Sequence, residues 1–324
     1  MPHNVLITSA GRRAELVRSF QSELRQLFPE GKVFAADLNP GLSSACCLAD
    51  ESFQLPPIRS TEYISSLIEL CIAQDISLVM PTIDTELLPL AEHRERFEEH
   101  GLSVIISDKL LVQACRDKRL TNSLYTQVGL DTPQIIENPS LKDLPLFARP
   151  YDGSCSIDTH VVRDQSDLRP ELTNNPRMLF TEFLDPSEHE EYTLDLYFDR
   201  QEQLKCLVPR LRLETRGGEV SKGRTVRLAE HESLVRAFQR LPGARGCITA
   251  QVFRHKHTSR IVAIEINPRV GGGIPLSYQA GANFPRWLFE EYMLNQQVEY
   301  FDDWEPNLTM LRYDAQVFVR GAAA

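Results

Sequence analysis

Glu265 and Asn267 stand two residues apart in an apolar run at 261–266, followed by Pro268, Arg269 and three glycines at 271–273. On a β-strand, residues two apart project from the same face. A carboxylate and an amide oxygen side by side suit Mg²⁺, which takes a few protein oxygens and leaves its other positions to water and substrate phosphates. Arg269 follows at the distance where a cation could hold a negatively charged intermediate. The same residues also fit a plain strand that ends in a Pro-Gly turn, and alone they do not separate the two readings. Gln251, on the preceding strand-like run, is placed to add a third oxygen.

Other stretches carry chemistry of the same kind. Arg149 closes an apolar run and precedes Pro150, Tyr151, Asp152, Gly153, Ser154, Cys155 and Ser156. A cation before a loop of mostly small residues suits phosphates, which backbone N–H groups can cradle; a hairpin with one surface arginine fits equally. The run 178–184 has Glu182, Phe183 and Leu184 at its end and continues through Asp185 to Glu191. Such a connection can offer its main chain to a purine edge and a carboxylate to ribose hydroxyls, though a hairpin with acidic surface residues would look the same. Residues 213–224 are glycine-rich, mixed in charge and almost free of apolar groups. They read as a mobile loop that closes over phosphates with Lys222 or Arg224, or as a merely solvated one.

The elements that must position these residues fall into two styles. Up to about residue 110, short apolar strands (5–8, 33–36, 78–80, 104–106) alternate with helical patterns, including a charged helix at roughly 84–100. That alternation predicts a doubly wound parallel sheet. Ligands bind beyond the carboxyl ends of such strands, which singles out Ser9 to Arg12, Asp37, and Thr82 to Asp84. A nicotinamide site is rejected: Gly11 is the only glycine between residues 1 and 30, so the Gly-x-Gly-x-x-Gly fingerprint is absent. From about 112, a helix carrying Lys118 ends at Gly129, followed by Asp131-Thr-Pro133. Strand-like runs then dominate, with helices near 165–174, 229–240 and 284–295, as in an α+β region with largely antiparallel sheets.

Composition sets the outer bounds. Hydrophobic residues at 42% and charged residues at 25% are ordinary for a soluble globular chain, and 324 residues allow two or three domains. The net charge of -10 argues against nonspecific affinity for nucleic acid or an anionic membrane. No apolar run approaches the ~20 residues that span a bilayer, and the N-terminus lacks the pattern of a secretory signal; the expected location is the cytoplasm. The seven cysteines form no Cys-x-x-Cys pair, so neither a disulfide framework nor a zinc site is indicated. His255 and His257 flank Lys256 and read as a solvated basic hairpin.

In this order the motifs resemble the ATP-grasp superfamily, most closely the large-chain synthetase half of carbamoyl phosphate synthase and its stand-alone relatives. The most specific match is Gln251, Glu265, Asn267, Pro268 and Arg269. The resemblance implies a Rossmann-like domain over 1–112, then an ATP-grasp fold of two α+β subdomains, 113–184 and 185–324, that clamp ATP between them. It implies Gln251, Glu265 and Asn267 as ligands of one or two Mg²⁺ (Mn²⁺ as a substitute) and Arg269 as the residue on the reacting phosphoryl group. Lys118 and Arg149 would bind phosphates beside the loop at Ser154, Glu182 to Leu184 would form the adenine hinge, Glu191 would take the ribose, and Lys222 would act from a lid. The family has lysine more often than arginine at Arg149 and more glycine around Ser154. The implied activity is a carboxylate–amine ligase using an acyl phosphate. A carboxylate kinase, a carbamate- or carboxyphosphate-forming enzyme, and an ATP-binding regulatory protein without turnover are the alternatives. The acceptor site is expected between the glycines at 271–273 and the first domain near Gly11 and Asp84. Small-molecule carboxylates and amines are the expected partners, with a homodimer as the default assembly.

Overall fold

The computed structural model describes residues 3–153 and 157–321. The first part comprises β1 (Asn4–Ile7), α1 (Ala14–Leu27), β2 (Val33–Asp37), α2 (Ser44–Leu48), β3 (Glu51–Gln54) and α3 (Tyr63–Ala73). It continues with β4 (Ile76–Met80), α4 (Asp84–Glu92), α5 (Arg94–Glu99) and β5 (Ser103–Val104). The strands pair in parallel in the order β3-β2-β1-β4-β5. Val5, Ile7 and Val33 pack with Leu16, Val17, Phe20 and Leu24 of α1 on one face; Leu6, Phe34 and Val79 pack with α3 and α4 on the other. Burial on both faces explains why these strands read as continuous apolar runs. β3 was not foreseen, because it is a polar, largely exposed edge strand without such a run. The charged helix at 84–100 is two helices, broken at His93.

Next come α6 (Lys109–Arg116), α7 (Lys118–Val128), β6 (Leu146–Pro150), β7 (His160–Val162), α8 (Pro170–Thr173) and β8 (Met178–Glu182). The three strands form a small antiparallel sheet ordered β7-β6-β8. Asp117 caps α7 by accepting from the Arg119 N–H at 2.9 Å, and Gly129 ends it with φ 85°. That left-handed stop is the one the sequence predicts. Helix α8 is much shorter than the expected 165–174. Leu111, Tyr125 and Val128 of α6 and α7 share a core with the large sheet, so these helices back that sheet and leave the small one to its own cluster around Leu146 and Phe180.

The remainder supplies β9 (His189–Phe198), β10 (Leu204–Arg216), β11 (Glu219–Thr225), α9 (His231–Phe238), β12 (Gly246–His255) and β13 (Ile261–Asn267). It ends with α10 (Ile274–Gln279), α11 (Phe284–Tyr292) and β14 (Thr309–Leu311). The six strands make an antiparallel sheet ordered β13-β12-β9-β10-β11-β14. One face buries Leu194, Leu196, Ile248, Ala250 and Val252 against α7 and α9. The period of two then turns Glu191, Thr193, Asp195, Thr249 and Gln251 to the opposite face. At the far end of that face Tyr197, Cys206 and Cys247 join the core of α1, α10 and α11, which ties the first sheet to the large one.

The stretch 213–224 is corrected from a mobile loop to the tip of the β10–β11 hairpin. Its turn is Gly217-Gly218 with φ 59° and 79°, values that suit a two-glycine hairpin turn. Among the described residues, no helix is long and apolar enough to cross a membrane.

Candidate active site

The register of the large sheet assembles the predicted oxygen ligands. Gln251 lies opposite Glu265, and Thr249 opposite Asn267, across β12 and β13. Directly opposed residues share a face, so Gln251, Glu265 and Asn267 present their side chains together. A register shift between Gln251 and Val252 breaks the ladder immediately beyond them. Tyr125 of α7 supports this point from behind, its hydroxyl donating to the Glu265 carbonyl at 2.7 Å.

Cations from the small-sheet side meet these oxygens. Lys118, the first residue of α7, is buried, and its Nζ donates to the Gly153 carbonyl. Arg149 is buried on β6, its Nη2 3.4 Å from the Ile264 carbonyl and its Nε without a partner among the described residues. Burial lowers the pKa of both cations; the Glu265 carboxylate opposes that, while Arg149 adds to the lowering at Lys118. Two cations are thus held around one carboxylate in a desolvated cleft, which favours a ligand bringing further negative charge. Asp84, Cys115, Lys118, Gly153, Glu265 and Asn267 line that cleft. Cys115 was not foreseen there. Its thiol is pushed up by burial and by Asp84 and Glu265, and it lines the cleft as a neutral group.

Arg269 links the cleft to the first domain. Its Nη2 donates to Asp84 Oδ2 at 2.8 Å and to Asn267 Oδ1 at 3.3 Å, and its buried Nε has no partner among the described residues. Asp84 begins α4, after the three-residue turn 81–83 that follows β4. Glu86, fully buried, fixes that turn by accepting from the Thr82 and Ile83 N–H groups at 2.8 and 3.1 Å and from Ser9 Oγ at 3.1 Å. The adjacent Arg13 went unnoticed in the sequence. It donates to the Thr82 carbonyl at 2.8 Å, and burial together with Arg269 lowers its pKa. Asp37 accepts from the Gly11 N–H at 2.9 Å, so it shapes the β1 loop.

The glycines at 271–273 let the chain run flat between the sheet and this domain. A Cβ on Gly273 would lie 2.2 Å from Arg210 Nη1, and one on Gly271 would lie 2.6 Å from Thr249 Oγ1. Arg210 is itself pinned by Asp195 through contacts of 2.6 and 2.8 Å, with Ser277 Oγ also on Asp195 at 2.6 Å. This buried pair joins residues on neighbouring strands and was not legible as a pair in the sequence.

The remaining expected residues have different surroundings. Glu191 shares the polar face and is bonded by Arg212 at 2.8 Å; burial raises its pKa, Arg212 opposes and Glu265 adds to the rise. The Glu182 carboxylate accepts from the Gln134 N–H at 3.1 Å and pairs with Arg260 at 3.1 Å, so a ligand can use only the main chain of this hinge. Phe183 and Leu184 are half-buried beside it, with the Arg163 guanidinium 5.4 Å from the Phe183 ring. Ser154 falls outside the described residues. Lys222 lies on β11, half-exposed, paired with Glu214 at 2.7 Å. Gly223 faces Leu276 of α10, so alternation turns Lys222 to the other side of the hairpin. In this arrangement Arg116 and Lys118 are the cations lining the cleft among the described residues, with Arg149 and Arg269 beside it.

Two family models match the chain. Residues 5–105 match the PylC-like N-terminal domain, and residues 174–314 match the model described as ATP-grasp in the biosynthetic pathway with Ter operon. A carbamoyl-phosphate synthase from Methanobrevibacter smithii is 25% identical over 130 residues, 37% of this chain and 35% of that protein. The match therefore spans about a third of the relative's length. Among solved structures, the biotin carboxylase domain of Hydrogenobacter thermophilus 2-oxoglutarate carboxylase, a dimer in complex with MgADP, ADP and bicarbonate, superposes with a TM-score of 0.71. It is 14% identical, over 95% of this chain and 73% of that one. N5-carboxyaminoimidazole synthetase from Staphylococcus aureus gives 0.68 at 14% identity, over 92% and 78% of the two chains. The L-amino acid ligase from Bacillus licheniformis gives 0.65 at 18%, over 90% and 74%. At these identities the structures establish the fold. The chain thus has an ATP-grasp fold, with residues 174–314 matching an ATP-grasp family model and residues 5–105 a PylC-like N-terminal one, and its fold neighbours are ligases and carboxylases.

Proposed function

We propose that the protein is an ATP-dependent carboxylate–amine ligase that works through an acyl phosphate. The observation that carries this reading is one cleft lined by Glu265, Asn267 and Lys118, with Gln251 opposite Glu265 in the sheet, Arg149 in the field of Glu265, and Arg269 bridging to Asp84. Mg²⁺ fits this donor set: it is all oxygen, and its single carboxylate accepts no side-chain hydrogen bond among the described residues. When bound, the ion would neutralise charge on the β- and γ-phosphates.

Lys118 and Arg149 hold the phosphate chain, the main chain at 182–184 meets the base, and Glu191 accepts from the ribose hydroxyls. A carboxylate oxygen attacks the γ-phosphorus, the bond to the β-γ bridging oxygen breaks, and ADP leaves. An amine then attacks the acyl carbon, loses a proton, and inorganic phosphate departs. Arg269 follows the charge on the transferring phosphoryl group and Asp84 holds its guanidinium in place. The protein contributes positioning and charge neutralisation and no nucleophile of its own. The acceptor lies beside Gly271 to Gly273, within reach of Arg13. The assembly we propose is a homodimer.

A second reading is favoured by the likeness to a biotin carboxylase domain bound to bicarbonate and to a carboxyaminoimidazole synthetase: the same site would form a carboxyphosphate from bicarbonate. Phosphate release from Mg·ATP, measured over a panel of carboxylates with and without amines, tests both. Release that needs both partners supports the ligase. Release with bicarbonate alone supports the second reading. Tight ATP binding with no release from any member supports a regulatory nucleotide binder.

A further inference from the structure

A second cavity, of about 330 Å³, opens where β5 meets the far end of the large sheet. Glu265 and Asn267 of the nucleotide cleft stand level with Thr193 and Asp195 of β9, and Arg200 lies just beyond the far end of that strand, so roughly 15–25 Å of extended strand separates this cavity from the nucleotide cleft. Its wall brings together Arg94 from α5, Arg200 from the β9–β10 turn, Arg245 from the approach to β12, and Tyr292 from the end of α11. Val104 and Ile106 add an apolar side, and Glu98 is its only lining carboxylate among the described residues.

Asp108, Glu202 and Glu98 match the three arginines in number, but the guanidiniums are oriented and the Arg200 head has no carboxylate of its own among the described residues. Asp108 Oδ1 serves two arginines at once, Arg94 at 2.8 Å and Arg245 at 3.0 Å. Glu202 holds the other end of Arg245 at 2.9 Å, while Arg245 Nε is buried with no partner among the described residues. Arg200 pairs with no carboxylate among the described residues; its guanidinium lies 5.4 Å from the Tyr292 ring and makes a 3.4 Å contact to Asn295. The Tyr292 hydroxyl has no hydrogen-bond partner among the described residues. Burial raises its pKa, with Glu291 adding and Arg200, Arg245 and Arg94 opposing, so it stays a neutral donor within the field of all three arginines.

We infer that this cavity binds a small organic dianion, a phosphate ester or a dicarboxylate. Guanidinium forks match the paired oxygens of either group, and the apolar side accommodates a short carbon body. The volume is at the small end for ligand pockets. Because Arg94 and Val104 belong to the first sheet's domain and Arg200, Arg245 and Tyr292 to the ATP-grasp part, such a ligand would bridge the two.

The test is calorimetric titration of the full chain, held in saturating Mg·ADP so that the nucleotide cleft is filled. The probes are inorganic phosphate, succinate and, as a monoanion, acetate. The variants are Arg200→Ala and, as a control, Arg236→Ala on the exposed face of α9. Binding of phosphate or succinate that weakens about tenfold or more in Arg200→Ala, as expected for a lost charge-assisted bond, and persists in Arg236→Ala supports the site. Phosphate alone then indicates a phosphate ester, and succinate alone a dicarboxylate. No heat from either dianion, equal binding by Arg200→Ala, or acetate binding as well as succinate would overturn it.

Discussion

Arg269 and Asp84 meet at 2.8 Å although 185 residues separate them in the chain. The pair joins the end of the Glu265 and Asn267 strand to the loop after β4 in the first domain, and the same Nη2 reaches Asn267. A guanidinium in this position can follow charge from the γ-phosphate toward an acceptor lying between the domains.

Replacing Arg269 with alanine should therefore lower phosphate release by about a hundredfold or more, the loss typical of a residue that stabilises transition-state charge. ADP affinity, which the proposed site draws mainly from Lys118, Arg149 and the hinge, should change by less than about threefold, that is, under 1 kcal/mol. Steady-state kinetics beside calorimetry on the same variant checks this. Equal losses in affinity and rate would assign Arg269 to nucleotide binding instead.

Glu191 predicts a pH dependence of nucleotide affinity. Its folded pKa is raised, chiefly by burial and with help from Glu265, so it takes up a proton at higher pH than an ordinary glutamate (about 4.3). In the proposed site Glu191 accepts from the ribose hydroxyls only when ionised. ADP affinity should fall as pH drops through a midpoint above the ordinary glutamate range, and the step should vanish in Glu191→Gln. A step that persists in that variant would place the titrating group elsewhere.

The flat run of the glycines is testable as stability. Gly273→Ala sets a methyl 2.2 Å from Arg210 Nη1, and Arg210 cannot retreat without leaving Asp195. A loss of about 1–3 kcal/mol is expected from overpacking. Gly272→Ala meets its nearest atoms only at 3.4 Å and should stay within about 0.5 kcal/mol of the parent. Urea unfolding of the two variants side by side reads the difference.

What the sequence displayed was what depends on local period. Glu265 and Asn267 share a face because they are two apart on a strand, and the buried parallel strands announced themselves as apolar runs. Gln251 could be placed only on the preceding strand; its pairing with Glu265 depends on a register that the chain does not display locally. The hairpin of β10 and β11 lacks an apolar run at its tip, so its glycines looked like those of a loop and Lys222 looked free. β3 was hidden for the same reason. Arg210 with Asp195, and Arg269 with Asp84, are meetings across strands or domains, and nothing in the spacing of either pair marks them.

The central claim is that a carboxylate oxygen attacks the γ-phosphorus. Turnover of a substrate carboxylate labelled with ¹⁸O, in the presence of Mg·ATP and the amine that supports phosphate release, tests it directly by mass spectrometry of the phosphate. The acyl-phosphate route requires one labelled oxygen to pass from the carboxylate to each phosphate released, with ADP as the other product. Unlabelled phosphate, or AMP and pyrophosphate in place of ADP, would contradict it.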